Sequence, residues 1–374
     1  MGILLQLCMA EKKINNTVLI APLDWGLGHA TRCIPIIKKL QQKKCRILIA
    51  TDGAHAILLQ QVFPELEFLK LPGYGIRYSK KNVLFSLAKQ FPGFLKTIKA
   101  EHAWLEKTIS DENVQLVISD NRYGLWSKKI ACIFITHQLQ LQMPLFMTWA
   151  QNIIQKRLYR LIEKFSVCWI PDVANRTINI SGKLGHPKKQ PNMPVQYIGA
   201  LSRFSNPQPQ QKKYALMVCL SGPEPQRTLF EEILLPQFNN IVGDILLVRG
   251  KPGSNEILLA QKNVTIVNHL PTTQMQQAFE ESSFVISRCG YSTLMDMQVL
   301  GCKCIYVPTP GQTEQEYLGR LMKDKGISLV FKQDGFNLGN AIKAAQDFDY
   351  KIISAEETNL LDNAIEDLLE KINK

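Results

Sequence analysis

The chain has 374 residues, of which 45% are hydrophobic and 20% are charged. These values are typical of globular proteins and exclude a wholly disordered chain. The length exceeds what one ordinary core spans and indicates two domains, and no apolar run approaches the roughly 18 residues of a membrane-spanning helix. Nine cysteines without the paired spacing of metal sites indicate free thiols, and therefore a reduced, cytoplasmic protein.

The net charge of +12 is concentrated in the first half of the chain. Residues 1–200 contain 27 Lys and Arg against 12 Asp and Glu, whereas residues 201–374 contain 17 against 20. A basic half predicts an anionic partner, such as a membrane surface, a nucleic acid or a phosphorylated substrate. The alternative is a solvated surface that is merely rich in lysine.

In the first half, short apolar runs rich in β-branched residues alternate with helix-length segments. The runs predict strands at 17–23, 45–51, 66–72, 114–120 and 130–136, and the intervening segments predict helices at 30–43, 84–90 and 94–109. Because the runs are continuously apolar rather than alternating, both faces of the sheet should be covered, as in parallel sheets.

Residues 203–213, RFSNPQPQQKK, are polar and proline-rich, which predicts a linker. The alternation then restarts, with predicted strands at 214–220, 244–250, 263–269, 283–289, 302–308 and 327–332, and ends in an amphipathic segment at 355–372. The sequence therefore predicts an α/β protein of two doubly wound, Rossmann-like domains. Their predicted bounds are 1–202 and 214–352, and a C-terminal helix follows within 353–374.

Ligands of open α/β sheets bind beyond the carboxyl ends of the strands, so the loops at these ends are the candidate sites. The first such loop lies in APLDWGLGHATR (21–32), where Gly26 and Gly28 interrupt an apolar run and His29 follows. Asp120 ends the fourth predicted strand, and His137 follows the fifth. A tight turn with hydrogen-bonded structural side chains is the alternative reading at each position.

The second half opens with a similar loop, CLSGPEPQRT (219–228), in which Ser221 and Gly222 lead from a strand into a helix. Backbone N–H groups at a helix N-terminus attract phosphate, and glycine lets a phosphate approach closely. A plain connection between strand and helix explains this loop about as well.

Two further loops of the second half contain the densest polar motifs of the chain. In SRCGYSTLMD (287–296), a cation, a glycine and two hydroxyls suit a phosphate; they are Arg288, Gly290, Ser292 and Thr293. In the same segment, Asp296 suits two ribose hydroxyls. In VPTPGQTEQE (307–316), the polar side chains after the glycine suit the hydroxyls of a sugar; they are Gln312, Glu314, Gln315 and Glu316. Helix capping and a partner for the helix dipole are the alternative roles in the first loop. Both loops together favour a nucleotide-sugar site.

These motifs resemble those of the two-domain nucleotide-sugar glycosyltransferases with the GT-B fold. The similarity is greatest to the group, called family 28, that contains the N-acetylglucosaminyltransferase of the peptidoglycan pathway and the plant-type galactolipid synthases. It rests on WGLGHATR, SGPEPQ and the long segment from SRCGYSTLMD to VPTPGQTEQE, and it follows the order of elements over nearly the whole chain.

The resemblance implies roles for the same residues. The loop with Gly26, Gly28 and His29 would face the acceptor and the donor phosphates. The turn at Ser221 and Gly222 would lie near the diphosphate, Asp296 would hold the ribose, and the pair Gln315 and Glu316 would contact the donor sugar. The sequence departs from the family in three places: the first loop has fewer glycines, Asp296 replaces a Glu, and Glu316 replaces a Gln.

Glycosyl transfer needs a base for the acceptor hydroxyl and electrostatic stabilisation of the departing diphosphate. His29 is the first candidate for the base; Asp120 is a candidate to orient it or to act as the base itself, and His137 is the third candidate.

No Asp-x-Asp pair ends a predicted strand, so neither a metal nor a cofactor is predicted, and Arg288 with helix N-termini would neutralise the diphosphate. The nucleoside diphosphate sugar, by resemblance linked to UDP, is a co-substrate. Direct displacement would invert the anomeric centre.

The acceptor is predicted to lie in the basic half. Segment 143–165 begins with the apolar side chains Phe146, Met147 and Trp149 and continues as a basic helix; its cations are Lys156, Arg157, Arg160 and Lys164. This combination favours an anionic membrane surface and a lipid-linked acceptor, with the protein peripheral on the cytoplasmic face. The alternative is a core helix with a solvated basic face. Arg77, Lys80 and Lys81 add positive charge in YGIRYSKK (74–81).

Other classes of function explain the sequence less well. A sugar-nucleotide 2-epimerase shares the expected fold and donor but does not need a basic acceptor face, and a non-catalytic sugar-nucleotide-binding protein is a further alternative. A nicotinamide oxidoreductase is disfavoured because LGHATR lacks the third glycine of the dinucleotide motif. No nucleic-acid partner is predicted, because basic residues are not interleaved with aromatic ones.

Overall fold

The computed structural model describes residues 16–24, 26–71, 73, 83–142, 151–205, 207–257, 263–352 and 359–373. The strands β1 to β7 are Thr17–Pro22, Arg46–Thr51, Glu67–Lys70, Leu116–Asp120, Ala131–Ile135, Val167–Ile170 and Val195–Tyr197. The strands β8 to β13 are Tyr214–Cys219, Ile245–Val248, Val264–Val267, Ser282–Ser287, Cys304–Tyr306 and Leu329–Val330. The helices α1 to α10 are Gly28–Gln42, Gly53–Val62, Val83–Asp111, Gln151–Ile162, Gln226–Leu234, Thr272–Glu280, Tyr291–Leu300, Thr313–Asp324, Leu338–Asp347 and Leu360–Ile372.

The strands form two parallel sheets, one in each half of the chain. The first has the order β3-β2-β1-β4-β5-β6-β7, and the second has the order β10-β9-β8-β11-β12-β13. In each sheet the order reverses next to the first strand, between β1 and β4 and between β8 and β11. Such a reversal is the switch point of a doubly wound fold, where ligands bind. The predicted α/β class, with two Rossmann-like sheets, is confirmed.

All the strands predicted from the sequence are present, and two were missed. The missed strands, β6 and β7, contain four and three residues and extend the first sheet at its edge. The prediction of two helices at 84–90 and 94–109 was wrong, because α3 is continuous from Val83 to Asp111. Pro92 and Gly93 lie between the two predicted segments, but a proline removes only one helical hydrogen bond and does not always end the helix.

The hydrophobic core has three parts. One buried cluster covers the outer face of the first sheet around Phe134 and Leu105, and another covers the outer face of the second sheet around Phe230 and Leu247. The largest cluster contains buried side chains of both halves, from Val18 in β1 to Leu368 in α10. The two halves therefore share a continuous apolar interior.

The last helix, α10, packs on α1 of the first half. Lys39 in α1 pairs with Asp362 at 2.8 Å, and Lys43 pairs with Glu366 one turn further on. Beneath these exposed ion pairs, Ile365 is fully buried in the shared core. The halves are therefore joined twice, by the connection after β7 and by this helix.

None of the helices in the described part of the chain combines the length and hydropathy needed to cross a membrane. The eight cysteines that the structure describes are free.

The apolar contact, rather than the ion pairs, should hold α10 in place. Ile365→Ala should lower the free energy of unfolding by about 2 to 5 kcal/mol, because it removes buried methyl groups and leaves a cavity. Lys39→Ala should have a much smaller effect, because its ion pair is partly exposed and screened by salt. Urea unfolding of both variants measures the difference, and equal losses would contradict it.

Candidate active site

The strand register brings His29 and Asp120 together. Pro22 at the end of β1 is paired with Asp120 at the end of β4, so the two strand ends lie side by side. The chain then turns at Gly26, which has a φ of +82° that favours glycine, and α1 begins at Gly28. The carbonyl of Gly26 accepts a hydrogen bond from Nε2 of His55 at 3.0 Å, which fixes the turn. His29 therefore sits in the first turn of α1, directly above Asp120.

His29 and Asp120 form a hydrogen-bonded pair. Nδ1 of His29 lies 2.9 Å from Oδ2 of Asp120. Nδ1 also lies 2.9 Å from Nη2 of Arg32, a group that can only donate. Because the carboxylate can only accept and Nη2 already donates to Oδ1 of Asp120, we assign the proton of the neutral ring to Nδ1, which leaves the lone pair on Nε2. The His29 side chain is 14% exposed, whereas that of Asp120 is fully buried. This is the geometry of a base oriented by a carboxylate.

Arg32, one turn after His29 on α1, helps to determine the protonation states of His29 and Asp120. Its guanidinium donates from Nε to Oδ2 of Asp120 at 2.8 Å and from Nη2 to Oδ1. Burial alone would raise the pKa of Asp120, but Arg32 and His29 lower it well below its usual range. Burial and the nearby Arg32 lower the pKa of His29 to about 4. At neutral pH the carboxylate is therefore ionised and the imidazole is neutral.

His137 belongs to the same cluster but is not free to act as a base. Its Nδ1 lies 3.1 Å from Nη1 of Arg32 and accepts from it, and its Nε2 donates to Oε1 of Glu314 at 2.8 Å. The ring stacks on Tyr291, with centroids 4.1 Å apart and an angle of 4° between the rings. Both nitrogens are occupied, so this third candidate for the base is disfavoured.

The N-termini of α1 and α7 meet between the two sheets. Ser292, in the first turn of α7, donates its hydroxyl to the carbonyl of Gly28 at 3.0 Å. A Cβ at Gly28 would lie 2.7 Å from that hydroxyl oxygen, closer than real contacts allow. The sequence suggested that Gly28 admits a substrate, but in the structure its missing side chain admits Ser292 of the other half.

The turn after β8 has the features expected of an anion-binding loop. Ser221 and Gly222 are exposed, and the φ of Gly222 is +102°, which favours glycine. Arg288 lies beneath, fully buried, and donates to the carbonyls of Val307 and Gln226. Burial lowers its pKa to about 10, so it remains charged at neutral pH. The side chain of Arg288 holds the loops together through these carbonyls. A direct contact of Arg288 with a diphosphate stays a prediction, and this arrangement does not favour it.

The remaining predicted donor residues lie around the same loops. Gly290 caps α7 and Thr293 lies in its first turn. Asp296 is buried and accepts a hydrogen bond from Ser202 at 2.7 Å, and burial raises its pKa to about 6. Gln315 accepts from the backbone N–H of Thr309 at 2.8 Å, and Glu316 accepts from that of Gly311 at 3.0 Å. These contacts order the loops, while the roles in ribose and sugar binding stay predictions.

Part of the predicted acceptor region lies outside the described residues: Trp25, the loop 74–81, and 143–150 with Phe146, Met147 and Trp149. The basic helix that follows is described as α4. Its buried side chains are Tyr159 and Ile162, and Lys156, Arg157 and Arg160 are exposed on the other side. Lys164, just after α4, lies over the ring of Trp126 at 4.6 Å.

Comparison with known proteins agrees with the fold. Residues 235–371 match the glycosyltransferase family 28 C-terminal domain. Over 339 residues the chain is 21% identical to UDP-N-acetylglucosamine--N-acetylmuramyl-(pentapeptide) pyrophosphoryl-undecaprenol N-acetylglucosamine transferase of Buchnera aphidicola subsp. Schizaphis graminum. That alignment covers 88% of this chain and 89% of the relative. The chain is a glycosyltransferase, and it is similar to the MurG-like group.

Solved structures show the same fold for this glycosyltransferase. MurG of Acinetobacter baumannii superposes with a TM-score of 0.56 at 14% identity, over 95% of this chain and 99% of that one. The kitacinnamycin glycosyltransferase gives 0.61 at 14% identity, over 96% and 99%. SnogD of Streptomyces nogalater gives 0.59 at 14%, over 96% and 95%. The GT-B fold predicted from the sequence is confirmed.

Sequence reasoning missed two members of the cluster in this glycosyltransferase. Arg32 was quoted only as part of a motif, although its position three residues after His29 places both on one face of a helix. Glu314 was grouped with the sugar-binding residues of its loop, but the structure joins it to His137 of the other half. The helical spacing was a usable signal for Arg32. No local signal exists for Glu314, because its partner is 177 residues away.

The close contact between the halves of the glycosyltransferase should depend on Gly28. Gly28→Ala should lower the free energy of unfolding by about 1 to 3 kcal/mol, because the new Cβ overlaps Ser292. Ser292→Ala alone should cost about 0.5 to 1.5 kcal/mol, through the lost hydrogen bond. In the double variant the overlap with the hydroxyl oxygen is removed and only the 3.2 Å contact with Cβ of residue 292 remains, so urea unfolding should show less than the sum of the two losses. Additive losses would contradict the contact.

Proposed function

We propose that this glycosyltransferase moves a hexose or N-acetylhexosamine from a nucleoside diphosphate sugar to a hydroxyl of a lipid-linked acceptor at a membrane surface. UDP is the nucleotide proposed, from the resemblance to family 28. The reaction proposed is a direct displacement without a metal, which inverts the anomeric centre. The single observation that carries the proposal is the pairing of His29 with the buried carboxylate of Asp120, next to loops suited to a diphosphate.

In this mechanism His29 accepts the proton of the acceptor hydroxyl at Nε2. The acceptor oxygen forms a bond to the anomeric carbon as the bond from that carbon to the diphosphate oxygen breaks, and the electron pair leaves with the nucleoside diphosphate. Asp120 holds the proton on Nδ1 and stabilises the imidazolium that forms. The N-terminus of α7 and the exposed turn at Gly222 are the groups proposed to stabilise the departing charge.

The proposed acceptor is an anionic lipid-linked molecule. The relative from Buchnera is named for transfer to a pyrophosphoryl-undecaprenol substrate, which is an anionic lipid. The first half of this chain has a large excess of positive charge, and α4 presents exposed cations beside its buried face. Both observations support an acceptor or surface that is lipid-linked and anionic.

Incubation with radiolabelled nucleotide sugars and a membrane lipid extract tests the reaction. Label that enters the organic phase, and that does not enter with His29→Ala, supports transfer to a lipid. Epimerised free nucleotide sugar in the absence of any acceptor would instead support the 2-epimerase alternative. Binding of nucleotide sugar without either product would support the non-catalytic alternative.

The pH dependence of transfer should reflect the lowered pKa of His29. Above pH 5 the ring is neutral and able to accept a proton, and activity should fall as the pH drops through about 4, where the ring becomes protonated. His29→Ala should lower kcat by about 10²- to 10⁴-fold. The measurement is kcat/KM against pH, which reports the free enzyme.

Two further variants control this experiment. Asp120→Asn should lower kcat without moving the acidic limb to higher pH, because the lost carboxylate is a group that raises the pKa of His29. His102→Ala should retain activity, because that histidine of the same half stacks on Trp126 away from the cluster. Because burial raises the pKa of Asp296 to about 6, the acidic limb is compared in Asp296→Asn. A limb near pH 6.5 in that variant, or a fully active His29→Ala, would contradict the assignment of the base.

Membrane attachment should depend on the exposed face of α4. Replacing Lys156, Arg157 and Arg160 by Gln should weaken binding to anionic vesicles roughly hundredfold at low salt, at about 1 kcal/mol per charge. The triple replacement of Lys323, Lys332 and Lys343 by Gln removes equal charge from exposed positions of the second half and should have little effect. Vesicle sedimentation measures both. Equal effects would show that only net charge matters.

A further inference from the structure

The buried cluster around His29 crosses from one half of the chain to the other. Arg32 binds Asp120 beneath His29 and also donates to His137 at 3.1 Å. His137 in turn donates to Glu314, in the first turn of α8, at 2.8 Å. A chain of hydrogen bonds thus runs from the candidate base to a helix of the half that contains the donor loops.

The second half fixes His137 at two points. Glu314 holds its Nε2, and Tyr291 of α7 stacks on the ring. Tyr291 is itself anchored, because its hydroxyl donates to the carbonyl of Pro171 at 2.7 Å. With the ring fixed in this way, Nδ1 points its lone pair at Arg32 and limits where the guanidinium can lie.

The position of Arg32 matters for His29. The titratable groups around His29 in the described part of the chain are Arg32 on the same helix, Asp120 after β4, His137 after β5 and Glu314 on α8. Arg32 disfavours a protonated His29, while the carboxylate of Asp120 favours it. A guanidinium that moved away would leave His29 facing an unbalanced carboxylate.

We propose that Glu314 is a positioning residue for the base: through His137 it holds Arg32 against Asp120, so that His29 is kept neutral only where the two halves are in contact. This inference rests on the proposed function, in which His29 is the base and the second half binds the donor. It adds that the second half, which contains the donor loops, helps to keep His29 neutral. Acceptance of a proton by His29 would therefore require the two halves to be in contact.

The sign of the effect separates positioning from simple electrostatics. Glu314 is ionised, because His137 lowers its pKa against the effect of burial. Its negative charge by itself favours a protonated His29, so removal of the charge alone would lower the pKa of His29. Loss of positioning would raise that pKa instead, because Arg32 would be released. The two explanations therefore predict opposite shifts.

The test is a histidine NMR titration of the full chain, which has only six histidines, with the signal of His29 assigned by His29→Gln. In Glu314→Ala we expect the pKa of His29 to rise by about one unit. Glu314→Asp keeps the charge but shortens the reach and should also raise it. Glu314→Gln keeps the hydrogen bond and loses only the charge, so the pKa of His29 should not rise and should fall slightly. Asp324→Asn, at the exposed end of α8, removes the same charge far from His137 and should not shift it.

An unchanged or lowered pKa in Glu314→Ala would overturn the inference, as would a rise in Glu314→Gln equal to that in Glu314→Ala. Thermal melting of each variant checks the fold, and the Glu314 side chain is 34% exposed, so its removal leaves no large cavity. The titration needs no substrate, so it stands even where no sugar is transferred. If transfer requires His29 but the acidic limb of kcat/KM does not move in Glu314→Ala, the inference fails and the proposed function stands.

Discussion

The interaction on which the site depends is the burial of the Asp120 carboxylate beneath His29 and Arg32. A carboxylate with no exposure to water is stable only if its charge is paired and its oxygens accept hydrogen bonds. Arg32 supplies both, because its planar guanidinium reaches both oxygens at once. Since Oδ2 also accepts from His29, the carboxylate fixes the ring and its tautomer. The structural need to satisfy a buried charge and the chemical need for an oriented base are met by the same atoms.

That arrangement is possible because two neighbouring strands end together. Parallel strands place their carboxyl ends at one edge of the sheet, and the register of β1 against β4 brings Pro22 beside Asp120. The chain then returns as α1, whose first five residues include His29 and Arg32 on one face. At the same edge, the second half approaches so closely that Gly28 has no room for a side chain. The shared apolar core below keeps this approach in place.

The sequence was sufficient for the strands and for the His29–Asp120 pair, and it failed where contacts join distant segments. Buried parallel strands are continuous apolar runs, so their ends, and the polar residues at those ends, can be read locally. The short edge strands β6 and β7 carry too few residues for such a pattern. The contacts of Glu314 with His137 and of Ser292 with Gly28 depend on how the two sheets are placed relative to each other. The local spacing of apolar and polar residues does not encode that placement. Arg288 looked like a free cation at a strand end, and only the fold shows that loop carbonyls surround it.

Asp296 illustrates how one departure from the family pattern changes the chemistry of a position. An Asp reaches one methylene less far than the usual Glu, and the carboxylate of Asp296, a residue of α7, stays buried and accepts a hydrogen bond from Ser202. Burial raises its pKa to about 6, with Arg203 opposing that rise from 3.8 Å away. A ribose hydroxyl that reached this carboxylate would compete with Ser202, which belongs to the connection between the two halves. A nucleotide that bound at Asp296 would therefore act on that connection.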